Sequence, residues 1–193
     1  MISTRFHGRG GQGAVIASKL LASALFREGW QVQAFPSFGA ERTGAPVMAF
    51  LRCDHARINE HYQVYEPDFV VVLDPVLLGS VNVTAGLREG GWVIVNTART
   101  PDEMAIDGAF KVATCDGTAI ALEHGLGSRT TPIVNTAMAG AFAAATGLVT
   151  LDAVLDTIPD YVPANVAANQ QAARDAFGRT LVGGMALAAP PGR

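Results

Sequence analysis

Only two cysteines and two lysines, Lys19 and Lys111, occur in 193 residues. Each shortage closes off a class of function. The net charge is -3, with no long basic run. The clustered Lys and Arg that bind a phosphate backbone are therefore missing, and nucleic acid is excluded as the main partner. Cys53 and Cys115 stand far apart without CxxC spacing. They suit neither a disulfide framework nor a zinc or iron–sulfur site built by this chain alone, and read as small buried thiols. His7, His55, His61 and His124 are scattered without metal-ligand spacing, so no metal site is expected on this chain. The opening "MISTRFHGRGG" lacks the charged-then-apolar pattern of a signal peptide. No apolar run reaches the roughly 20 residues of a bilayer span. A cytoplasmic protein without membrane contact is expected. G-x-S-x-G, H-E-x-x-H and G-x-x-x-x-G-K-[ST] are all absent, and no catalytic residue is assigned.

What is present is core-forming material. Hydrophobic residues make up 49% of the chain, enough for a single sizeable core. Residues 2–7 read as a strand that runs into a glycine loop, and residues 12–28 carry Ala17, Leu20, Leu21 and Ala24 at helical spacing, with Gly29 as the stop. Residues 30–35 complete a strand–helix–strand unit. Pro36 to Pro46 is a loop, long for its place and so a candidate for function. "VMAFLR" reads as a strand, and "FVVVLD" and "WVIVN" as buried parallel strands. "FKVATC" reads as an edge or late strand. Three helices then follow. The first has Thr131 as N-cap, Pro132 at the first turn and Gly147 at the stop. The second is capped by Thr150 and the third ends at Gly178. The third carries Val166, Gln170, Ala173 and Phe177 on one stripe, a mixed face suited to a subunit interface. The expected fold is a single three-layer, doubly wound α/β domain over residues 1–193. It has a mostly parallel sheet, a helical C-terminal third and a tail from about 186 to 193.

The glycine loop is the strongest local signal. Gly8, Gly10 and Gly13 match G-x-G-x-x-G between a strand and a helix. Unpaired N–H groups and the helix dipole make such a turn an anion site, and Arg9 adds a full positive charge. The alternative is a tight turn serving helix–strand packing alone. A nicotinamide dinucleotide further requires an acidic residue about 20 positions on, at the end of the second strand. "VQAFPSFG" holds none there, which disfavours that guest. Asp74 closes a buried strand at the ligand-facing edge, yet precedes Pro75 and reads first as a turn former.

Three stretches together, "GRGGQGAVIASKLLASAL", "QAFPSFGAERTGAPVMAFLR" and "PIVNTAMAGAFAAATGLVTLDAVLDTI", resemble the gamma subunit of the 2-oxoacid:acceptor oxidoreductases. "FPSFGAERTGAPV" points to the pyruvate:ferredoxin oxidoreductase-like branch. The resemblance implies a non-autonomous subunit of an enzyme that converts a 2-oxoacid, such as pyruvate or phenylglyoxylate, to an acyl-CoA. It further implies thiamine diphosphate, Mg and 4Fe-4S clusters on partner subunits, and ferredoxin as acceptor, or NAD through a further subunit carrying FAD. This chain is then expected to help bind coenzyme A. Gly8, Arg9, Gly10, Gly11, Gln12 and Gly13 supply one phosphate site, and Ser37, Arg42 and Thr43 supply hydroxyls and a second guanidinium. An ion pair with a partner subunit is the alternative for Arg42. Asn135 and Thr136 read as helix-capping residues that could line the same cleft. A stand-alone nucleotide-binding or regulatory module is the competing class.

Overall fold

The computed structural model describes residues 1–37 and 45–185. Chain order is β1 (Ile2–Arg9), α1 (Ala14–Arg27), β2 (Gln31–Pro36), β3 (Pro46–Asp54), β4 (Phe69–Val72), β5 (Trp92–Asn96), β6 (Lys111–Cys115), α2 (Gly117–Glu123), α3 (Asn135–Thr146), α4 (Leu151–Tyr161), α5 (Val166–Arg179) and β7 (Leu181–Met185). Two 3-10 turns, Pro75–Gly79 and Pro101–Glu103, follow β4 and β5.

One 7-stranded sheet has the order β2-β3-β1-β4-β5-β6-β7. β1, β4, β5 and β6 run parallel, β2 shares their direction, and β3 and β7 run against their neighbours. The mostly parallel α/β domain is as expected, but β1 and β2 are not neighbours. β3 lies between them, paired antiparallel to both. The link from Pro36 to Pro46, though long for a loop, is too short for a crossover, so β3 returns antiparallel to β2, and it does so on the side that faces β1.

The two faces of the sheet are covered differently. On one, Phe6, Leu51, Val71, Ile94 and Ala113 meet Leu20, Leu21, Ile120, Phe142, Ile158 and Ala173, so α1 to α5 all share this core. On the other, Val70, Val72, Val93, Val95 and Val112 pack under Leu77, Val83, Leu87, Met104 and Phe110 from the turns and loops between β4 and β6. The β1–β2 crossover uses the helical face and the links from β4 to β6 use the other. The winding therefore reverses between β1 and β4, as in a doubly wound fold, with 3-10 turns and loops forming the third layer. That reversal puts a crevice at the carboxyl ends of β1 and β4, the general ligand position of such sheets.

The C-terminal third departs from expectation in detail. Gly147 ends α3 in the left-handed region, and the Thr150 hydroxyl caps α4 by accepting from the Ala153 N–H. However, α3 begins at Asn135, not Pro132. Gly127 and Pro132 pair across a tight hairpin, and Ser128 and Thr131 exchange both backbone hydrogen bonds at 3.1 Å. Thr131 is thus a hairpin residue and caps no helix. α2 and β7 were not expected, and β7 makes β6 an interior strand. The α5 stripe is not one exposed face. Ala173 is fully buried, Gln170 donates to the Leu155 carbonyl, and Phe177 alone of the four is exposed, at 39%.

Candidate functional site

The glycine loop leaves β1 at the crevice. Its first intrahelical bond runs from Ala17 N–H to the Gly13 carbonyl at 2.8 Å, so the N–H groups of Ala14, Val15 and Ile16 have no partner within the helix. Gly13 is the N-cap, at φ 85 and without a side-chain cap. A Cβ there would stand 2.8 Å from Asn135 Nδ2 and 3.0 Å from Asn135 Cβ. Glycine is required at this position on both counts. The result is a backbone turn whose N–H donors have no partner within the helix, a kind of turn suited to a phosphate or carboxylate.

The side chains at the loop are partly committed to one another. Gln12 Oε1 accepts from the Arg9 N–H at 2.7 Å, and its Nε2 donates to Asp74 Oδ2 at 3.2 Å. Gln12 is therefore a brace across the loop. Arg9 Nε lies 3.0 Å from Asp74 Oδ2, with side-chain exposures of 37% and 12%. Asp74 Oδ1 caps the following 3-10 turn by accepting from the Val76 N–H at 3.0 Å. Asp74 is both the turn former read from the sequence and the anchor of the loop. Arg9 and Asp74 cancel in net charge, but Arg9 pairs through Nε, so its other guanidinium N–H groups remain to donate to an anion alongside the backbone donors.

The other expected residues are spread out. Gly10 N–H donates to the Ala45 carbonyl at 3.0 Å, which brings the far end of the Pro36–Pro46 loop against the glycine turn. Ser37 lies two strands away, its N–H bonded to Met48 and its hydroxyl accepting from Gln63 at 3.4 Å. Arg42 and Thr43 fall outside the described residues. Asn135 and Thr136 are buried. Asn135 packs on Gly13 as noted, whereas Thr136 donates to Asn169 Oδ1 at 3.0 Å inside the helical layer. One contact does not follow from the local sequence. The Thr131 methyl lies 3.6 Å from where a Gly11 Cβ would be, so the Gly127–Pro132 hairpin stands beside the loop. Gly127 and the polar "SRTT" run signal a turn but not what that turn meets.

Residues 3–178 match the pyruvate ferredoxin/flavodoxin oxidoreductase family. The chain belongs to that family. It is 54% identical over 186 residues to the pyruvate/ketoisovalerate oxidoreductases common subunit gamma of Thermococcus kodakarensis, covering 94% of this chain and 98% of that one. It is 53% identical over 152 residues to the pyruvate synthase subunit PorC of Methanocaldococcus jannaschii, covering 79% and 81%. The crystal structure of pyruvate oxidoreductase subunit PORC from Thermotoga maritima aligns with a TM-score of 0.77 at 37% identity, covering 94% and 97%.

Other groups of this oxidoreductase-family chain are engaged elsewhere. Its cysteines sit on separate strands, β3 and β6, and are buried. Burial pushes the Cys53 thiol up to about 12 and the Cys115 thiol up to about 11. Two such thiols do not fit an iron–sulfur cluster, which takes four ligands. Glu123, His124 and Asp175 bring ligand atoms within 4.8 Å of one another. Their carboxylates are already paired, His124 Nε2 with Asp175 and Arg179 with Glu123, each at 2.8 Å. Among the described residues no helix is long and apolar enough to cross a membrane.

His7, one residue before the loop, is buried under the second face. Its Nε2 accepts from Arg5 Nε at 3.0 Å, and Arg5 also donates to the Val83 and Ala85 carbonyls at 2.9 and 2.6 Å. Burial, then the Arg5 charge, pulls the His7 imidazole down to about 4. It is therefore neutral near pH 7 and fixed as an acceptor, with its proton on Nδ1. The unfolded chain takes up a proton near pH 6.5 and the folded chain resists until about 4. Stability present above the unfolded value is thus lost as pH falls from about 6.5 to 4. In urea melts, His7→Gln keeps an acceptor for Arg5 and should show about 2 kcal/mol less loss of stability between pH 7 and 5 than the parent. Equal losses would count against a neutral buried His7.

Proposed function

We propose that the chain is the gamma-type subunit of a multisubunit 2-oxoacid:acceptor oxidoreductase, and that its glycine loop holds a phosphate of coenzyme A. The subunit assignment is supported by the near full-length match to proteins named as gamma subunits. The observation that carries the ligand reading is the backbone cradle at the β1/β4 reversal, where Gly13 presents the first turn of α1. The alternative guest, a nicotinamide dinucleotide, fits poorly for a second reason besides the missing acid. The strand beside β1 is the antiparallel β3, so Ala45 and Pro46 stand where a parallel second strand would place its ribose-binding carboxylate.

In this reading the chain contributes positioning. Coenzyme A supplies the thiol that receives the acyl group, and the loop donors and Arg9 orient its phosphate. No residue of this chain is assigned to the reacting atoms. Thiamine diphosphate with Mg and the 4Fe-4S clusters belong to partner subunits. Pyruvate or a related 2-oxoacid is the substrate, with aryl 2-oxoacids such as phenylglyoxylate as the alternative. Ferredoxin is the acceptor, or NAD through a further FAD-bearing subunit.

The test is Arg9→Ala in the assembled enzyme. Removing a hydrogen bond to an ionised group costs about 1.5–3 kcal/mol, so the KM for coenzyme A should rise about tenfold or more. Reduction by the 2-oxoacid without coenzyme A should be unchanged. Unaltered coenzyme A kinetics would leave the glycines a packing role only, and an effect on NAD or NADH instead would restore the dinucleotide reading.

A further inference from the structure

The loop alone is short of positive charge for a phosphate dianion, because Arg9 is held by Asp74 at 3.0 Å. A guanidinium nearby would change that balance. The hairpin against the loop carries one. Arg129 and Thr130 form its two-residue tip, both exposed, and Ser128 and Thr131 close it with paired backbone bonds. The Ser128 hydroxyl also accepts from the Thr131 N–H and bonds the Thr130 hydroxyl, at 3.1 and 3.0 Å. The tip is thus braced from within. Arg129 stands two residues, roughly 7 Å of chain, from Thr131, whose methyl packs at Gly11. Among the described residues its guanidinium makes no ion pair or hydrogen bond.

We propose that Arg129 is a second cation of the glycine-loop site, reaching from the hairpin tip to a phosphate of coenzyme A. This rests on the coenzyme A reading above and adds a cation where, among the described residues, Arg9 and Asp74 cancel. A planar, permanently charged fork can contact two phosphate oxygens at once. The exposed position means that its loss should not disturb folding.

The experiment compares Arg129→Ala, Arg129→Lys and Arg9→Ala in the assembled enzyme. Coenzyme A binding is measured by calorimetry without 2-oxoacid, alongside steady-state kinetics and native mass spectrometry of the complex. Arg129→Ala should weaken coenzyme A binding about tenfold or more and flatten its dependence on salt. Arg129→Lys should recover part of the loss. The melting temperature, the KM for the 2-oxoacid and kcat at saturating coenzyme A should be unchanged. If Arg9→Ala weakens binding and Arg129→Ala does not, this inference fails while the loop reading stands. If Arg129→Ala instead loosens the complex with coenzyme A affinity intact, the guanidinium serves a partner subunit and the proposal is overturned. If neither Arg9→Ala nor Arg129→Ala alters coenzyme A binding, the loop reading itself has failed, and this one with it.

Discussion

Gly140→Ala should lower the melting temperature by roughly 6–12 °C, through a loss of about 3 kcal/mol. Gly140 lies in α3 where that helix meets α5. A Cβ added there would stand 2.1 Å from the Ala173 carbonyl oxygen and 2.9 Å from its carbonyl carbon. Both are backbone atoms, so no rotamer change relieves the overlap and the helices must part. The better helix propensity of alanine returns only about 1 kcal/mol. Ala137, Ala141, Ala172 and Ala176 are buried in the same layer, so parting the helices opens voids along the contact. Circular-dichroism melts of the two proteins decide the matter. A midpoint within 2 °C or so of the parent would show that α3 and α5 are less tightly apposed than described.

Gly13→Ala should abolish most coenzyme A binding, by about a hundredfold or more, with a smaller cost to folding. Two independent obstacles meet at this position. The φ of 85 is one that a residue with a Cβ adopts at a cost of about 1–2 kcal/mol. The new carbon also falls on Asn135, whose side chain would have to give way. Relief of either moves the first turn of α1, and with it several donors at once, each contributing about 1.5–3 kcal/mol to an ionised guest. Adding Asn135→Ala removes the overlap but leaves the dihedral strain, so the double variant should recover binding only in part. Calorimetric titration of coenzyme A into the variant enzyme is the measurement. Parent-like affinity in a folded Gly13→Ala protein would place the phosphate somewhere else.

The parts of this fold that could be read in the sequence are those whose hydrophobic period is long or unbroken. Leu20, Leu21 and Ala24 announce α1, and the valine runs announce β4 and β5, because burial on one face or two writes directly into residue choice. The pairing of strands does not write itself in this way. β3 shows the same apolar pattern whether it runs with β1 or against it, and only the link before it, too short for a crossover, betrays the hairpin. β7 carries little strand signal because its "LVGGM" holds two glycines, and Gly weakens a strand's own signal. α2 opens on a glycine and spans 7 residues, too few for a period to show. At the site the distinction is similar. The glycine turn is a local motif and is legible, whereas Asp74 and Thr131 of the hairpin meet it through contacts more than 60 and 110 positions away in the chain.

The buried, high-pKa thiols have a consequence for handling and for physiology. A cysteine reacts as its thiolate, and at neutral pH Cys53 and Cys115 are almost wholly protonated and shielded from reagents. Oxidants and alkylating agents that strike other parts of the enzyme will pass this subunit by while its sheet is closed. Since Cys53 lies in the strand inserted between β1 and β2, and Cys115 near the far edge, each becomes a timer for the opening of its own end. The order in which they are labelled under mild denaturant records which end of the sheet comes apart first.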